Sequence, residues 1–336
     1  MKIKDRQILL FAVICAALWF RSPILEGYII PTFGNTMYHV GIIRKTMETM
    51  YYPLYELSYG GGFRHFYVPA YRLLIASMAI TSGIDPMPLS GMMTLAIALF
   101  IALMLYSLGR RIYDNHYVGL CAALFFVISP ELTIFSSRAL PQSLGLFMIP
   151  LTLYFVLREQ RLLSVLAAMA TALTHQMTLL VLVLTLLIYS VLQLRDKNKF
   201  LSAFVPLLAA CATYGIWQMY TMQTLDIFSI SQVKYHEGTV VDWKLFARAG
   251  LVVIPFSIIG FIRTFLSDHM PRDRKLLMLS WFAATLLLTK NELFGVSIFM
   301  DRFFTFWVEC MVIFAGFGLF YSLNYLDGLL NKVGTK

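Results

Sequence analysis

The sequence predicts an all-α, polytopic membrane protein with about ten transmembrane helices and a large first extracytoplasmic loop. Hydrophobic residues make up 59% of the chain and charged residues only 13%, whereas a soluble domain carries about 25% charged residues. The apolar residues form near-continuous runs of a length suited to crossing a bilayer. Loops between the runs are short, so we treat residues 1–336 as a single transmembrane domain.

Cations favour one side of the predicted membrane. If the amino terminus is inside, the inner segments carry 16 of the 27 Lys and Arg residues and seven acids, and the outer side is balanced. Such a surplus is typical of the cytoplasmic face. Arg21-Ser-Pro follows the first run where a cleavage site would need small residues, so we expect an uncleaved first helix. This predicts a multi-pass protein of the cell membrane with cytoplasmic termini and the following spans: 7–21, 89–109, 116–131, 143–157, 162–175, 177–194, 200–219, 247–265, 275–290 and 303–323.

Residues 21–88 form the first extracytoplasmic loop, which we expect to carry two surface helices. The segment 67–82 is apolar, but about 16 residues with Pro69 and Arg72 are poorly suited to a span. Counting it as a span would also reverse the charge bias of every later loop. We therefore predict an interfacial or re-entrant helix there. Segment 36–51 is predicted to be amphipathic, with Met37, Val40, Met47 and Met50 or Tyr51 on the apolar face and Arg44, Lys45 and Glu48 opposite.

Acids and a histidine at the outer boundary are candidates for catalysis. Glu26 and Glu131 lie where a carboxylate can act as a base, although each is also explained as an idle loop acid or a helix-terminal acid. His39 is suited to binding a phosphate or metal, or to orienting an acceptor, and equally to the polar face of a surface helix.

Two arginines, a histidine and an intramembrane acid are candidates for substrate binding. Arg138 and Arg302 stand at outer helix ends, where a guanidinium can hold phosphate oxygens or extend to lipid headgroups. Glu309 lies seven residues beyond Arg302, on the same helical face, so its predicted partner is Arg302 or a bundle-facing Lys or His, in either a functional site or a structural ion pair. His175 ends a short span and is expected to orient a ligand or to be structural.

The helix and loop order, together with four short strings, resembles the GT-C superfamily of integral-membrane glycosyltransferases. Gly34-Asn35-Thr36-Met37-Tyr38-His39 is similar to the loop-one motif of oligosaccharyltransferase catalytic subunits. Ser137-Arg138-Ala139-Leu140-Pro141 is similar to the second-loop motif, and Thr174-His175 and Asp301-Arg302-Phe303-Phe304 match a polar outer turn and a lipid-phosphate arginine.

The resemblance implies a membrane glycosyltransferase that uses a polyprenyl-phosphate-linked sugar on the extracytoplasmic face. It implies Glu26, His39 and Glu131 as catalytic residues, and Asn35, Arg138, His175, Arg302 and Glu309 as substrate-binding residues. The acid would either deprotonate the acceptor or hold a divalent cation such as Mg²⁺ or Mn²⁺. The expected partners are the bilayer, the polyprenyl-phosphate lipid and an acceptor protein or glycan, with no nucleic acid.

The sequence departs from the family pattern in loop one. Asn35-Thr36 stands where relatives carry an acid, and Gln142 where they often have Glu. The soluble carboxy-terminal domain of oligosaccharyltransferases is expected to be lacking. A non-catalytic lipid-sugar-binding or assembly subunit is therefore the alternative function, and a transporter is a third, which the scarcity of intramembrane charges and paired broken helices disfavours.

Overall fold

Helices dominate the computed structural model, which describes residues 3–22, 34–56, 63–64, 67–224, 239–268 and 270–334. The described residues form fourteen α-helices, a short 3-10 helix and a pair of two-residue antiparallel strands. The helices are α1 Ile3–Trp19, α2 Gly34–Thr49, α3 Ala70–Ser82, α4 Pro86–Tyr113, α5 His116–Ile128, α6 Pro130–Ser136, α7 Pro141–Leu157, α8 Arg161–Thr174, α9 Gln176–Leu192, α10 Lys197–Thr224, α11 Trp243–Ala247, α12 Val253–Leu266, α13 Arg272–Thr289 and α14 Met300–Gly334. The strands are β1 Tyr55–Glu56 and β2 Phe63–Arg64, and the 3-10 helix is Asn291–Phe294.

Each of the ten predicted apolar runs overlaps one of these helices, and the all-helical fold class is confirmed. By length and composition, α4, α10 and α14 are able to cross a membrane, and α5 with α6 is a fourth candidate if the bent pair is one span. The remaining apolar helices are shorter, so the count of about ten spans stays a prediction.

The predicted helix over 116–131 is wrong at its end. Helix α5 ends at Ile128, and α6 begins at Pro130 after a bend of 74°. The residue before a proline is pushed out of the helical region, and Ser129 accordingly has an extended backbone with ψ 117°. Its hydroxyl donates to the carbonyl of Ala249 at 2.9 Å, so the bend is held against the chain just before α12.

Helices α2 and α3 lie between the first two predicted spans, as expected. At 13 residues, α3 is about 20 Å long, against a hydrocarbon core of about 30 Å. It ends at Gly83, which adopts a left-handed conformation with φ 70°. The Asp85 carboxylate then accepts the backbone N–H of Met87 at the start of α4. Since α8 and α12 have only 14 residues and overlap predicted spans, the length of α3 does not decide the matter, and its interfacial or re-entrant placement stays a prediction.

The predicted amphipathic pattern of α2 is confirmed in part. Val40 is buried and Met47 is partly buried, as predicted, and the opposite face with Arg44, Lys45 and Glu48 is exposed. Met37 and Met50 are wrongly placed on the inner face, because they are 41% and 75% exposed. The buried stripe faces α3 and α4 and contains both apolar and polar side chains, namely Thr36, His39, Val40, Ile42, Ile43 and Thr46.

Helix α14 lies at the centre of the packing and contacts α5, α12 and α13. Glycines allow its closest approach: a Cβ on Gly260 of α12 would lie 1.8 Å from the carbonyl oxygen of Phe314, and one on Gly318 would lie 1.9 Å from that of Phe256. Such small residues let helix backbones meet where lipid supplies no hydrophobic driving force. The buried first turns of α14 are thereby held in place beside the candidate site.

Candidate functional site

A cavity of about 1300 Å³ opens between α2, α7, α9, α13 and α14. One part of its lining is polar or aromatic: Asn35, Tyr38, His39, Tyr67, Gln142, His175, Asn291 and Arg302. The other part is apolar, and it includes Leu140, Leu179, Leu180, Leu287, Leu288, Phe294, Val296, Phe299 and Phe303. Ligand sites of ordinary size occupy about 300–1,000 Å³. This cavity is thus suited to a large amphipathic molecule.

Arg302 lies in the first turn of α14 and is the cation that lines the cavity. Its Nη1 donates to Oε1 of Gln142 at 3.3 Å. The Gln142 amide in turn donates to the backbone carbonyl of Arg302 at 3.3 Å. Because Gln142 is neutral, this pair orients the guanidinium without cancelling its charge. The Arg302 guanidinium is therefore held in place and remains able to attract an anion.

His39 is fixed by a buried arginine that the sequence analysis did not place in the site. Arg72 is fully buried, and its Nε donates to Nδ1 of His39 at 2.9 Å. A second donation reaches the hydroxyl of Tyr52 at 2.6 Å. Since the guanidinium is only a donor, Nδ1 of His39 must accept, and a neutral His39 carries its proton on Nε2.

The Arg72 guanidinium also lies over the rings of Tyr38 and Tyr67, at 5.1 Å and 4.6 Å from their centroids. Such cation–π contacts stabilise a buried guanidinium. Both tyrosines line the cavity. Arg72 therefore ties α3 to α2 and shapes one wall of the site.

His175 has the same tautomer for a different reason. It precedes α9, and its Nδ1 accepts the backbone N–H of Thr178 at 3.3 Å, so the neutral ring carries its proton on Nε2. The Tyr67 ring lies between the two histidines, with centroids 5.5 Å from His39 and 6.2 Å from His175. Two neutral N–H donors thus flank one tyrosine in the cavity lining.

Glu131 lies behind the cavity lining in a buried ion pair. Its Oε2 is 2.7 Å from Nη2 of Arg248, and its Oε1 accepts the hydroxyl of Thr305 at 2.7 Å. Thr305 stands one turn beyond Arg302 on α14, and the Glu131 carboxylate is fully buried. The carboxylate is therefore engaged by a cation and a hydroxyl, an arrangement that holds Arg248 and the start of α14 together.

Arg138 extends the cationic region. It lies between α6 and α7, with its guanidinium 4.3 Å from the centroid of the Phe135 ring. Burial, and next the charge of Arg302, lower the pKa of Arg138. A bound anion would be attracted to both cations.

The predicted pairing of Arg302 with Glu309 is wrong. Glu309 is fully buried, and both its carboxyl oxygens have no hydrogen-bond partner within the described ranges. Seven residues on a helix are separated by about 10 Å along the axis, which exceeds the reach of the pair once Arg302 turns to Gln142. Glu309 does not line the cavity.

The structure thus brings four predicted residues to the cavity, namely Asn35, His39, His175 and Arg302. Glu131 and Arg138 lie next to them, and Glu26 lies outside the described residues. The sequence analysis missed Arg72 and Arg248 as parts of the site. A single arginine within an otherwise apolar helix was the available signal for Arg72.

The described residues do not provide a divalent-cation site. They contain no group of three or more His, Cys, Asp or Glu side chains able to hold a metal ion. Glu131, the predicted acid nearest the cavity, is committed to Arg248 and Thr305. The Mg²⁺ or Mn²⁺ ion implied by the family resemblance therefore does not fit the described residues.

No protein-family model matches the sequence, and no curated protein matches it. Solved structures do match. The Archaeoglobus fulgidus oligosaccharyltransferase AglB, in complex with an inhibitory peptide and a dolichol-phosphate, has a TM-score of 0.72 and 12% identity, and the match covers 100% of this chain and 53% of that one. ArnT from Cupriavidus metallidurans, bound to undecaprenyl phosphate, has a TM-score of 0.70 and 12% identity over 95% of this chain and 60% of that one.

The apo form of the same oligosaccharyltransferase has a TM-score of 0.70 at 12% identity, with coverage of 100% and 53%. The chain therefore spans about half the length of the structures it matches. At this identity the similarity shows the fold alone. The chain therefore shares the fold of the part of these structures that it covers.

Proposed function

We propose that the protein is a membrane glycosyltransferase that takes its sugar from a polyprenyl-phosphate-linked donor on the extracytoplasmic face. The observation that carries this proposal is the cavity, in which an oriented guanidinium and two neutral imidazoles share one space with an extended apolar wall. A phosphate with an isoprenoid tail has the matching chemistry. The solved structures with this fold were captured with dolichol-phosphate and undecaprenyl phosphate.

In this proposal Arg302 binds the donor phosphate. Negative charge grows on that phosphate as the bond between the sugar and the phosphate oxygen breaks, and a fixed cation in a dry site stabilises it. The Nε2–H groups of His39 and His175 donate hydrogen bonds to phosphate or sugar oxygens. Asn35 and Tyr38 lie at the same end of the cavity and are placed to contact the sugar.

The acceptor must lose a proton as the new glycosidic bond forms. Glu131 is better suited to positioning Arg248 and α14 than to this role, since its carboxylate is fully buried and paired. Glu26 keeps the predicted role of base. Glu309 and Arg138 are proposed to act outside direct catalysis, with Arg138 adding positive potential beside Arg302.

We further propose about ten spans and cytoplasmic termini in a cell membrane, with the acceptor protein or glycan approaching from outside. Cysteine labelling tests this topology. In a variant without the four native cysteines, single cysteines placed at the exposed loop residues Thr239 and Glu159 should be labelled from opposite sides of sealed cells. Labelling of both from one side would contradict it.

Turnover in nanodiscs tests the activity. Undecaprenyl- and dolichyl-phosphate sugars are supplied as donors to the wild-type protein, Arg302→Gln and Arg263→Gln. Loss of the charge-assisted hydrogen bonds from a guanidinium to a phosphate costs about 3 kcal/mol. The rate of donor consumption should therefore be about a hundredfold lower in Arg302→Gln. Arg263, whose guanidinium covers Tyr321 far from the cavity, serves as the control. Unchanged turnover in Arg302→Gln would reject the assignment.

The second candidate is a non-catalytic lipid-sugar-binding subunit. Asn35 in the slot of the family acid, and the engaged carboxylate of Glu131, favour it. The same assay separates the two candidates, because donor binding that depends on Arg302 without any turnover supports the binding subunit.

A further inference from the structure

A basic cleft lies at the opposite end of α4 and α7 from the cavity. It has a volume of about 540 Å³ and is lined by Ser107, Arg110, Arg111, Asp114, Tyr154 and Arg158. The cavity touches the first residues of α7, whereas the cleft touches its last turn. Since α7 has 17 residues, the two sites are about 25 Å apart. The cleft is therefore independent of the proposed catalysis.

A second cleft adjoins the first and shares Arg110 with it. It has a volume of about 380 Å³ and is lined by Arg6, Gln7, Leu10, Tyr106, Arg110 and His116. The two clefts together gather the guanidinium groups of α1, α4 and α7 around Arg110. Among the described residues that line the two clefts, Asp114 is the one acid. The region thus has a strong local excess of positive charge.

These arginines are poorly neutralised by the protein itself. Arg110 and Arg111 have no side-chain hydrogen bond or ion pair with another described residue, and Arg158 donates to the neutral hydroxyl of Tyr154 at 3.1 Å. Elsewhere on this side, Lys199 lies 3.4 Å from Asp273, and Arg274 donates to the carbonyl of Ile112. The excess of positive charge at the cleft is therefore a local feature, in addition to the general excess of cations on this side of the protein.

The surroundings of the cleft are suited to a lipid. Farther along the same two helices, the rings of Phe100 and Phe147 meet at 5.7 Å, and Phe100 is 48% exposed on the outer surface of the bundle. A molecule with its phosphate at Arg110 can lay an acyl chain along this apolar seam. Basic pockets between transmembrane helices at this depth bind anionic headgroups.

We infer that this basic cleft binds the phosphate headgroup of an anionic phospholipid in the leaflet opposite the donor cavity. Arg110, Arg111 and Arg158 hold the phosphate oxygens, and the α4–α7 seam receives an acyl chain. Occupation of the cleft ties the ends of α4 and α7 together at that membrane face. The inference depends on the cleft alone and not on the proposed glycosyl transfer.

Native mass spectrometry of the purified, delipidated full chain tests this inference. Phosphatidylglycerol and phosphatidylcholine are titrated against the wild type, the double variant Arg110→Gln/Arg158→Gln and the matched double variant Arg263→Gln/Arg272→Gln. Both double variants lose two charges on the same side. We expect tight binding of phosphatidylglycerol only, weakened about thirtyfold in the first variant and unchanged in the second.

Equal weakening in both double variants would overturn the inference, because it would show an unspecific effect of net charge. Equal affinity for the two lipids in the wild type would overturn it too. Displacement of phosphatidylglycerol by millimolar inorganic phosphate would assign the cleft to a free anion instead. If Arg110→Gln/Arg158→Gln folds poorly, the single variant Arg111→Gln provides the same test on an exposed side chain, and undiminished binding there would also count against the inference.

Discussion

Removal of the Arg72 side chain is expected to release α2 from α3. Arg72 donates to His39 at 2.9 Å and to Tyr52 at 2.6 Å from a fully buried position. Arg72→Met preserves much of the volume but removes two hydrogen bonds from a charged donor, one to Nδ1 of His39 and one to the Tyr52 hydroxyl. Each such bond contributes about 1.5–3 kcal/mol. We therefore expect a loss of about 3 kcal/mol in the free energy of docking α2, or more than a hundredfold in its docked population.

Hydrogen exchange measures this local loss directly. Amides of residues 34–49 should exchange about a hundredfold faster in Arg72→Met, with those of α14 unchanged. Arg72→Lys keeps the charge but cannot span both acceptors, so it should give an intermediate effect. Arg44→Gln is the matched control, since Arg44 also holds α2, by a bond of 2.9 Å to Asp85 with both side chains 48% exposed. An exposed pair of this kind contributes at most about 1 kcal/mol.

Equal exchange rates for Arg72→Met and Arg44→Gln would refute this reasoning. A nitrogen NMR spectrum gives a second check, because the His39 ring should show its proton on Nε2 in the wild type and a mixture of tautomers in Arg72→Met. A wild-type ring with its proton on Nδ1 would contradict the donation from Arg72.

Two further predictions concern packing and charge. Gly260→Ala should destabilise the protein by at least about 2 kcal/mol in thermal unfolding, because the new methyl group would meet the Phe314 carbonyl, whereas Gly215→Ala, with nothing within 4 Å, should be neutral or stabilising; similar melting of both would contradict the packing. Glu131→Gln should lower stability and leave the pH profile of turnover unchanged, because its carboxylate holds Arg248; a profile that loses one limb would instead make Glu131 the base.

The helices were predictable because uninterrupted apolar runs leave few alternatives in a membrane. The break at Ser129 was not predicted, although Ser-Pro carries the necessary signal, because both residues lie within an apolar stretch that continues to Phe135. The buried face of α2 was predicted only in part. Its inner side holds Thr36, His39 and Thr46 beside Val40, Ile42 and Ile43, and a periodicity argument assigns such polar residues to water.

The sequence predicted which polar residues lie at the site better than it predicted their hydrogen-bond and ion-pair partners. Arg302, His175 and His39 stand at outer helix ends or in the loop-one motif, and the cavity brings them together. Their partners depend on contacts between distant segments. Arg248 is 117 positions from Glu131, and no local pattern links the two.

The most direct test of the donor cavity is the lipid that the protein retains on purification. Native mass spectrometry of the wild-type chain in mild detergent should reveal a co-purified polyprenyl-phosphate species, and this adduct should be lost in Arg302→Gln and kept in Arg263→Gln. A wild-type protein that neither retains nor binds added undecaprenyl or dolichyl phosphate, or an Arg302→Gln protein that holds it equally well, would contradict the account.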